Sequence, residues 1–466
     1  FELIQNADDY PNDQNNVRMS FDIKSPYLVV KHNGSRFDVN NTVAICDINE
    51  GDKRSEVEKI GFKGIGFKSI FKDCNLAYLK SGDYSFRFDE MKWRNEGRKL
   101  FWQITPINTD DKEYQNELIP YDNVNLVIHP REKSQLTSYK TTLIEHFKDE
   151  RILLFLRNVK QIDFKLNEDS FSISNTANKW RILKSKDIVV DDHIRDELNR
   201  GISLNDKRVP LKFQGIQITD IGFGFLVEDN VVKNIEDATI YAYLPTKVNL
   251  GFGFLLNGNF IPDGSRTHLH QDLSWNEFLF EKSGEQFPNK LLELIECGID
   301  ASSVLELLPD FDKLLDVNDD EIIQFIRSFQ KGFYQSIEEI ELFPNTIGGK
   351  SKLRDLIFDE TGVSGVLGEQ FTEIVNLKGF ILSNELSSKA FRLIKKIMKH
   401  FETESFYTKE IFSKDIEENK YNSWLREADH SFKLICLCSE NKSLNELLEN
   451  KNLFLTTNNY LWVYKN

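Results

Sequence analysis

Glu2-Leu3-Ile4-Gln5-Asn6-Ala7-Asp8-Asp9 opens the chain, and Gly61-Phe62-Lys63-Gly64-Ile65-Gly66-Phe67-Lys68-Ser69 follows farther on. Read as a helix, the first stretch puts Glu2, Asn6 and Asp9 on one face, because residues three and four apart are neighbours on a helix surface. A carboxylate and an amide one turn apart can divide two jobs. The carboxylate orients and deprotonates water, while the amide oxygen is a hard ligand for Mg²⁺ held by phosphates. Asp9, a turn farther on, would support the base or the nucleotide. The plainer reading is a solvated helix face.

In the second stretch, closely spaced glycines permit unusual backbone angles and let phosphate oxygens approach the amides directly. The segment then turns helical, so N–H groups at its start face the same oxygens. Lys63 and Lys68 would neutralise charge, or simply face solvent. The stretch is not a dinucleotide fingerprint, since no GxGxxG joins a strand to a helix, and it is not a GxxxxGK[ST] phosphate loop. A third piece, Leu28-Val29-Val30-Lys31-His32-Asn33-Gly34-Ser35-Arg36-Phe37, reads as a strand opening into a glycine turn. A base-recognition residue at the strand end would sit on a pocket wall, although Asn33-Gly34 also reads as a plain turn signal.

Outward from these pieces, Val17 to Ile23 and Tyr27 to Lys31 read as successive strands, with more at Leu76–Leu79, Tyr84–Phe88 and Asn123–His129. Leu153–Val159 reads as an apolar run leading into Gln161–Leu166. Helix, strands, glycine loop, helix and further strands make an α/β sandwich the expected architecture. Strand candidates continue at Trp180–Leu183, Thr239–Leu244 and Phe252–Leu256, and a helix is expected to start over Leu291–Glu296. Beyond that the spacing turns helical, with stripes at Ile322-Ile323-Phe325-Ile326-Phe329 and Phe391-Leu393-Ile394-Ile397-Met398. Leu342-Phe343-Pro344-Asn345-Thr346 and Leu453-Phe454-Leu455-Thr456-Thr457 form a faint internal repeat.

The chain of 466 residues is long enough for several buried cores. Its formal net charge of -15 disfavours a surface that binds polyanions throughout, so composition does not support nucleic acid as a partner. No run of roughly 20 apolar residues is available for a bilayer span, and no membrane association is expected. Five cysteines, odd in number and without a CxxC, signal neither a disulfide framework nor a zinc site, and fit a cytoplasmic location. Because Glu2 already reads as mid-helix, residues upstream are expected to exist.

Glu2 to Asp9 resembles the N-box of the GHKL ATPases, and Gly61 to Gly66 resembles their second glycine box. The wording is most similar to sacsin amino-terminal and NO VEIN-like ATPases. The resemblance implies a Bergerat-type ATP-binding domain over 1–166, a transducer-like α/β domain over 167–290 and a mainly helical region over 291–466. It implies Glu2 as the general base, Asn6 as the Mg²⁺ ligand and Asp9 as a pocket residue. Gly61, Gly64 and Gly66, with Lys63, Ile65, Phe67 and Lys68 around them, would hold the triphosphate of ATP. Residues 47–60 would form a lid, with Lys53 in the place of its serine-threonine-lysine signature. Leu153 to Val159, Leu255 to Phe260, Ser265-Arg266 and Trp275-Asn276 look like later landmarks of NO VEIN-like proteins, so the resemblance spans about residues 1–290.

The chain also departs from that pattern. His32 stands where an aspartate normally receives the adenine amino group, with Asn33 and Gly34 beside it, and Arg36 replaces a glycine. A neutral imidazole can accept one hydrogen bond, and the Asn33 amide oxygen could take over that role. Asparagines 123 and 125 stand where a threonine is usual. Related ATPases place a basic residue from the following domain on the terminal phosphate. Lys247 and Arg266 are the candidates, with Arg266 preferred and a surface-loop residue as its plainer reading.

The resemblance thus implies slow Mg²⁺-dependent ATP hydrolysis that switches domains or partners, in chaperone-like or anti-phage defence systems. Protein partners or self-association would use the carboxyl-terminal helices. A nucleotide-binding scaffold without hydrolysis, and a binding module without nucleotide, are the alternatives. His268 and His270 read as a surface loop rather than a metal pair. Lys395-Lys396-Ile397-Met398-Lys399-His400 reads as a basic helical face, either solvated or meeting a partner.

Overall fold

The computed structural model describes residues 1–46, 67–96, 101–109, 123–174, 179–206, 208–263, 266–401, 406–455 and 461–462. The chain is α/β and divides into two compact units. The first comprises Phe1–Leu226, Asp237–Leu250 and Phe254–Leu279, and the second comprises Val227–Glu236, Gly251–Gly253 and Phe280–Asn466.

The first unit begins with α1 (Glu2–Asp9), β1 (Val17–Lys24) and β2 (Tyr27–His32), followed by α2 (Val39–Cys46). After the glycine segment, which lies outside the described residues, Phe67–Lys72 forms a 3₁₀ helix. The strands β3 (Cys74–Ser81), β4 (Tyr84–Asp89), β5 (Ile107–Asn108), β6 (Val124–Pro130), β7 (Val159–Leu166) and β8 (Asp169–Ser174) complete an eight-stranded sheet. Its order is β5-β4-β3-β6-β2-β1-β7-β8, and every pairing is antiparallel except β1 with β7.

Strand pleating decides which face the helices cover, because side chains two residues apart point the same way. Leu28 and Val30 of β2, with Leu126 and Ile128 of β6, join Ile4 and Ala7 of α1 and Leu136, Leu143 and Phe147 of the helix Ser134–Phe147 in one core. The alternate residues Val29 and Val127 meet Tyr78 in a smaller cluster. By the same alternation His32 shares the face of Leu28 and Val30, while Asn125 shares the face of Val127. Tyr243 and Leu244, from the second sheet, belong to the α1 core.

In that second sheet Trp180–Val189 and Leu255–Gly258 flank Ile218–Glu228, both antiparallel to it. Ile240–Ala242 runs parallel to Leu255–Gly258 and turns back on Leu244–Pro245. The turn is a single residue, Tyr243, held at φ 63.

One apolar run is resolved and one helix start is corrected. Over Leu153–Val159, a 3₁₀ helix at Glu150–Leu153 leads through turns to β7 at Val159. A short apolar run is ambiguous by pattern alone, and here its amides serve a side chain of α1. The helix expected from Leu291 runs over Ser274–Glu296, with Pro288 inside it.

The second unit is mainly helical, with short strand pairs. Proline at 288 cannot donate to the Gly284 carbonyl four residues earlier. There the helix meets Asp320–Ile337 with almost no side chain between them. A Cβ on Gly284 would lie 2.0 Å from the Phe329 carbonyl oxygen, and one on Gly332 would lie 1.8 Å from that of Glu281. A small sheet of parallel pairs sets Leu356–Asp359 between Phe380–Ile381 and Phe406–Tyr407. Phe343 pairs antiparallel with Ser351 and Phe454 with Trp462, and a fully buried leucine precedes each phenylalanine, Leu342 or Leu453.

Candidate functional site

Helix α1 has no side-chain cap at its start, so its position depends on packing and on Asp8. Ile4 and Ala7 are wholly buried against the sheet, while Glu2, Asn6 and Asp9 lie on a half-buried face. The Asp8 carboxylate accepts the backbone N–H groups of Arg157 at 3.2 Å, Asn158 at 2.7 Å and Val159 at 2.8 Å. The Asn158 side chain donates back to the Asp8 carbonyl oxygen at 2.7 Å. Burial pushes the Asp8 carboxyl up from its ordinary range, and the three N–H donors oppose that shift.

The strap continues into the second sheet. Arg157 donates through Nη2 to the Tyr243 phenol oxygen at 2.6 Å, and its guanidinium lies 4.6 Å from the same ring centroid. The Tyr243 hydroxyl donates to Asn259 Oδ1, and its N–H to Asn257 Oδ1. Beside Tyr243, the Ala242 carbonyl accepts Nη2 of Arg266 at 2.8 Å. Lys247 meets Arg266 through the backbone, its N–H donating to the Arg266 carbonyl.

Arg266 occupies the left-handed backbone region at φ 59. Its Nε is buried and has no hydrogen-bond partner among the described residues. Burial pulls the guanidinium down to about 10, against the attraction of Glu2 and Asp263. A second cation from the same region, Lys212, is 4% exposed on a 3₁₀ helix over Leu211–Phe213. Its ammonium lies 5.2 Å from the Phe213 ring centroid. Burial pushes Lys212 down to about 7; Asp9 attracts its charge, while Arg157 and Arg266 repel it. Two carboxylates of α1 therefore face two cations lowered by burial, Lys212 and Arg266, with the half-buried Arg157 beside them. Like charges gathered in a poorly solvated place are costly unless an anion joins them.

Comparisons with known proteins bear on this arrangement. No family model matches the chain. Protein NO VEIN of Arabidopsis thaliana is 25% identical over 337 residues, covering 66% of this chain and 12% of that protein. Sacsin of Homo sapiens is 26% identical over 206 residues, covering 39% of this chain and 4% of that protein. The chain is similar in sequence to NO VEIN and to sacsin. It spans only a small part of the length of either. Among solved structures, one titled "Crystal Structure of N terminal domain of a DNA repair protein" aligns with a TM-score of 0.29 at 11% identity, over 55% of this chain and 80% of that one. A likeness of that size carries no argument.

The expected site residues fall as follows. Gly61, Lys63, Gly64, Ile65, Gly66 and Lys53 lie outside the described residues. Phe67 packs edge-on against Phe71, with ring centroids 5.8 Å apart. Lys68 is half-buried beside Cys46, whose thiol burial pushes up while the Lys68 charge opposes that rise. His32 and Gly34 lie at the open end of β2. There the Gly34 N–H donates to His32 Nδ1 at 3.2 Å, and the Ser35 N–H donates to the Tyr10 carbonyl just past α1.

Asn33 also braces the start of β1: its Oδ1 accepts the Arg18 N–H at 2.7 Å and its Nδ2 donates to the Asn16 carbonyl. Asn123 donates to the Asn33 and Gly34 carbonyls and accepts from Arg36, bracing the turn. Among the described residues no group of three or more metal-capable His, Cys, Asp or Glu side chains gathers, at His268 and His270 or elsewhere. The basic helical face is paired within its own unit: Lys395 with Glu360 at 2.6 Å, and Lys396 with Asp310 at 2.5 Å and Asp312 at 2.9 Å. Among the described residues no helix is long and apolar enough to cross a membrane.

Sequence reading missed Lys212, Arg157 and Tyr243. Lys212 did carry a signal, since it sits alone in the apolar run Val209-Pro210-Leu211-Lys212-Phe213.

Proposed function

We propose that the first unit is a Bergerat-type module that binds a nucleoside triphosphate with Mg²⁺ against α1 and hydrolyses it slowly, switching the arrangement of domains or partners. The observation that carries this reading is Arg266, brought from the segment after the second sheet's strand Leu255–Gly258 to the Glu2 side of α1, with a buried Nε that has no partner among the described residues. Such an orphaned cationic donor fits a bound anion, and a terminal phosphate supplies one. The similarity to NO VEIN and sacsin and the order of the two sequence boxes support the same reading.

In the proposed reaction Glu2 takes a proton from water as the water oxygen bonds to the terminal phosphorus. The bond from that phosphorus to the bridging oxygen breaks, and the diphosphate leaves with the electron pair. The Asn6 amide oxygen would hold Mg²⁺, which supplies neutralisation of phosphate charge. Arg266 stabilises the charge that builds on the equatorial oxygens. Arg266 also connects to α1 through Ala242, Tyr243, Arg157 and Asp8, so phosphate contact and helix position belong to one hydrogen-bonded assembly.

The test is phosphate release by the full chain with and without Mg²⁺. Release should require the metal and vanish in Glu2→Ala, whereas retained turnover in that variant overturns the base assignment. Nucleotide titration of Asn6→Ala should show weakened binding, and affinity equal to that of the unaltered protein overturns the metal role.

A further inference from the structure

We infer that Arg157, Lys160, Lys184 and Lys186 form a surface of the first unit that holds the phosphodiester backbone of a nucleic-acid strand. The stretch Lys179-Trp180-Arg181-Ile182-Leu183-Lys184-Ser185-Lys186 carries four cations and no carboxylate, in a chain whose net charge is -15. A whole-chain balance hides such a local excess. Lys184 and Lys186 are exposed on the strand Trp180–Val189, which pairs with Ile218–Glu228 alone among the described residues.

Strand pairing brings these lysines to the strap. Lys184 lies opposite Gly222, and directly paired residues face the same side of a sheet. A Cβ on Gly222 would lie 3.5 Å from the Phe155 ring, so the segment leading to Arg157 packs against that side. Lys160 is held there too, its ammonium donating to the Arg157 carbonyl at 2.6 Å, a neutral partner. The Arg157 guanidinium meets the neutral Tyr243 phenol. Burial and then the Arg157 charge hold Lys184 below its ordinary value; Asp220 opposes that shift, and Lys186 and Lys160 add to it. Asp220 sits opposite the bulge at Lys186 and Asp187, so two carboxylates stand among the four cations and leave an excess of positive charge.

Lysines on a sheet edge also discourage edge-to-edge pairing. That purpose leaves Lys160 and Arg157, which belong to other elements, unaccounted for. Cations spaced along one strand and across to a neighbouring segment match a partner that repeats its charge. Exposed ammonium groups hold phosphates without reading bases, so the binding is indifferent to sequence and sensitive to salt.

The experiment titrates the full chain, without nucleotide, against a fluorescein-labelled single strand, as DNA and as RNA of matched sequence, and reads anisotropy across a range of salt. Both strands should bind alike, with log affinity falling against log salt at a slope of about −2 to −3, the value for three or four neutralised phosphates. Lys184→Glu combined with Lys186→Glu should lower affinity by roughly tenfold or more and make the slope shallower by about 1.4. Lys395→Gln, on the paired basic face of the second unit, should change neither. Absence of binding at low salt, binding without salt dependence, or unchanged affinity in the double variant overturns the inference. So does displacement of the strand by polyglutamate at matched charge, which would make the partner an acidic peptide. Should the double variant fail to fold, Lys184→Gln combined with Lys186→Gln takes its place: a loss of affinity supports the surface, and an unchanged affinity overturns it.

Discussion

The guanidinium of Arg157 donates to the Tyr243 hydroxyl at 2.6 Å and lies over the same ring, joining the amides that hold Asp8 of α1 to the turn that presents Arg266. Tyr243 adopts a left-handed backbone conformation that a bulky residue takes only when its surroundings impose it.

Tyr243→Phe keeps the ring and its contact with the guanidinium but removes the oxygen that serves both Arg157 and Asn259. Stability should fall by about 1–3 kcal/mol, since a half-buried charged donor loses its acceptor. Equilibrium unfolding in urea measures it. An unchanged midpoint would show that the strap contributes nothing to the fold.

Arg266→Ala removes the cation proposed to meet the terminal phosphate. Turnover should drop by about a hundredfold or more while nucleotide affinity changes less, the pattern of an interaction that strengthens in the transition state. Steady-state phosphate release read beside equilibrium binding separates the two. Equal losses in both would assign Arg266 to binding alone.

Lys212 gives a pH dependence with a definite sign. Its folded pKa of about 7 lies below the ordinary 10.5, so between those values the unfolded chain binds more protons than the folded one. Without ligand, stability from this group therefore rises as pH climbs from about 7 toward 10.5, and the full cost of the buried charge is present below 7. Lys212→Met should be more stable than the unaltered protein at pH 7, by on the order of a few kcal/mol, with the advantage fading toward pH 10. Thermal unfolding of both proteins across that range checks it. A constant difference would show that Lys212 does not titrate in the fold.

Gly332→Ala should destabilise the second unit by about 1–3 kcal/mol or more, because the added methyl meets the Glu281 carbonyl and neither helix backbone can give way cheaply. Hydrogen exchange over 280–337 should accelerate. Protection unchanged there would place the two helices farther apart than this structure does.

Much of this architecture was readable in the residues, for reasons that differ by element. Helix α1, β1 and the helices Asp320–Ile337 and Ser388–His400 declare themselves because one face of each is buried, and burial leaves a period in the sequence, whereas β2, buried on both faces, shows only as a short apolar run. Leu153-Leu154-Phe155-Leu156 has no such period: it is apolar throughout, and its turns are fixed by Asp8, a partner remote in sequence. The candidate site divides the same way. Glu2, Asn6 and Asp9 share a helical face by local spacing alone, whereas the approach of Arg266 and Lys212 depends on how a second sheet packs. That Asn33 serves Arg18 and Asn16 at the start of β1 was not legible either, since no local pattern announces those bonds.

The paired glycines at 284 and 332 carry a further consequence. Ring pairs close the crossing on both sides, Phe280 with Phe325 at 4.8 Å and Phe287 with Phe329 at 5.7 Å, so both rotation about the touching point and sliding along either axis disturb packed side chains. Such a joint makes the two helices move as one piece, which makes it a weld.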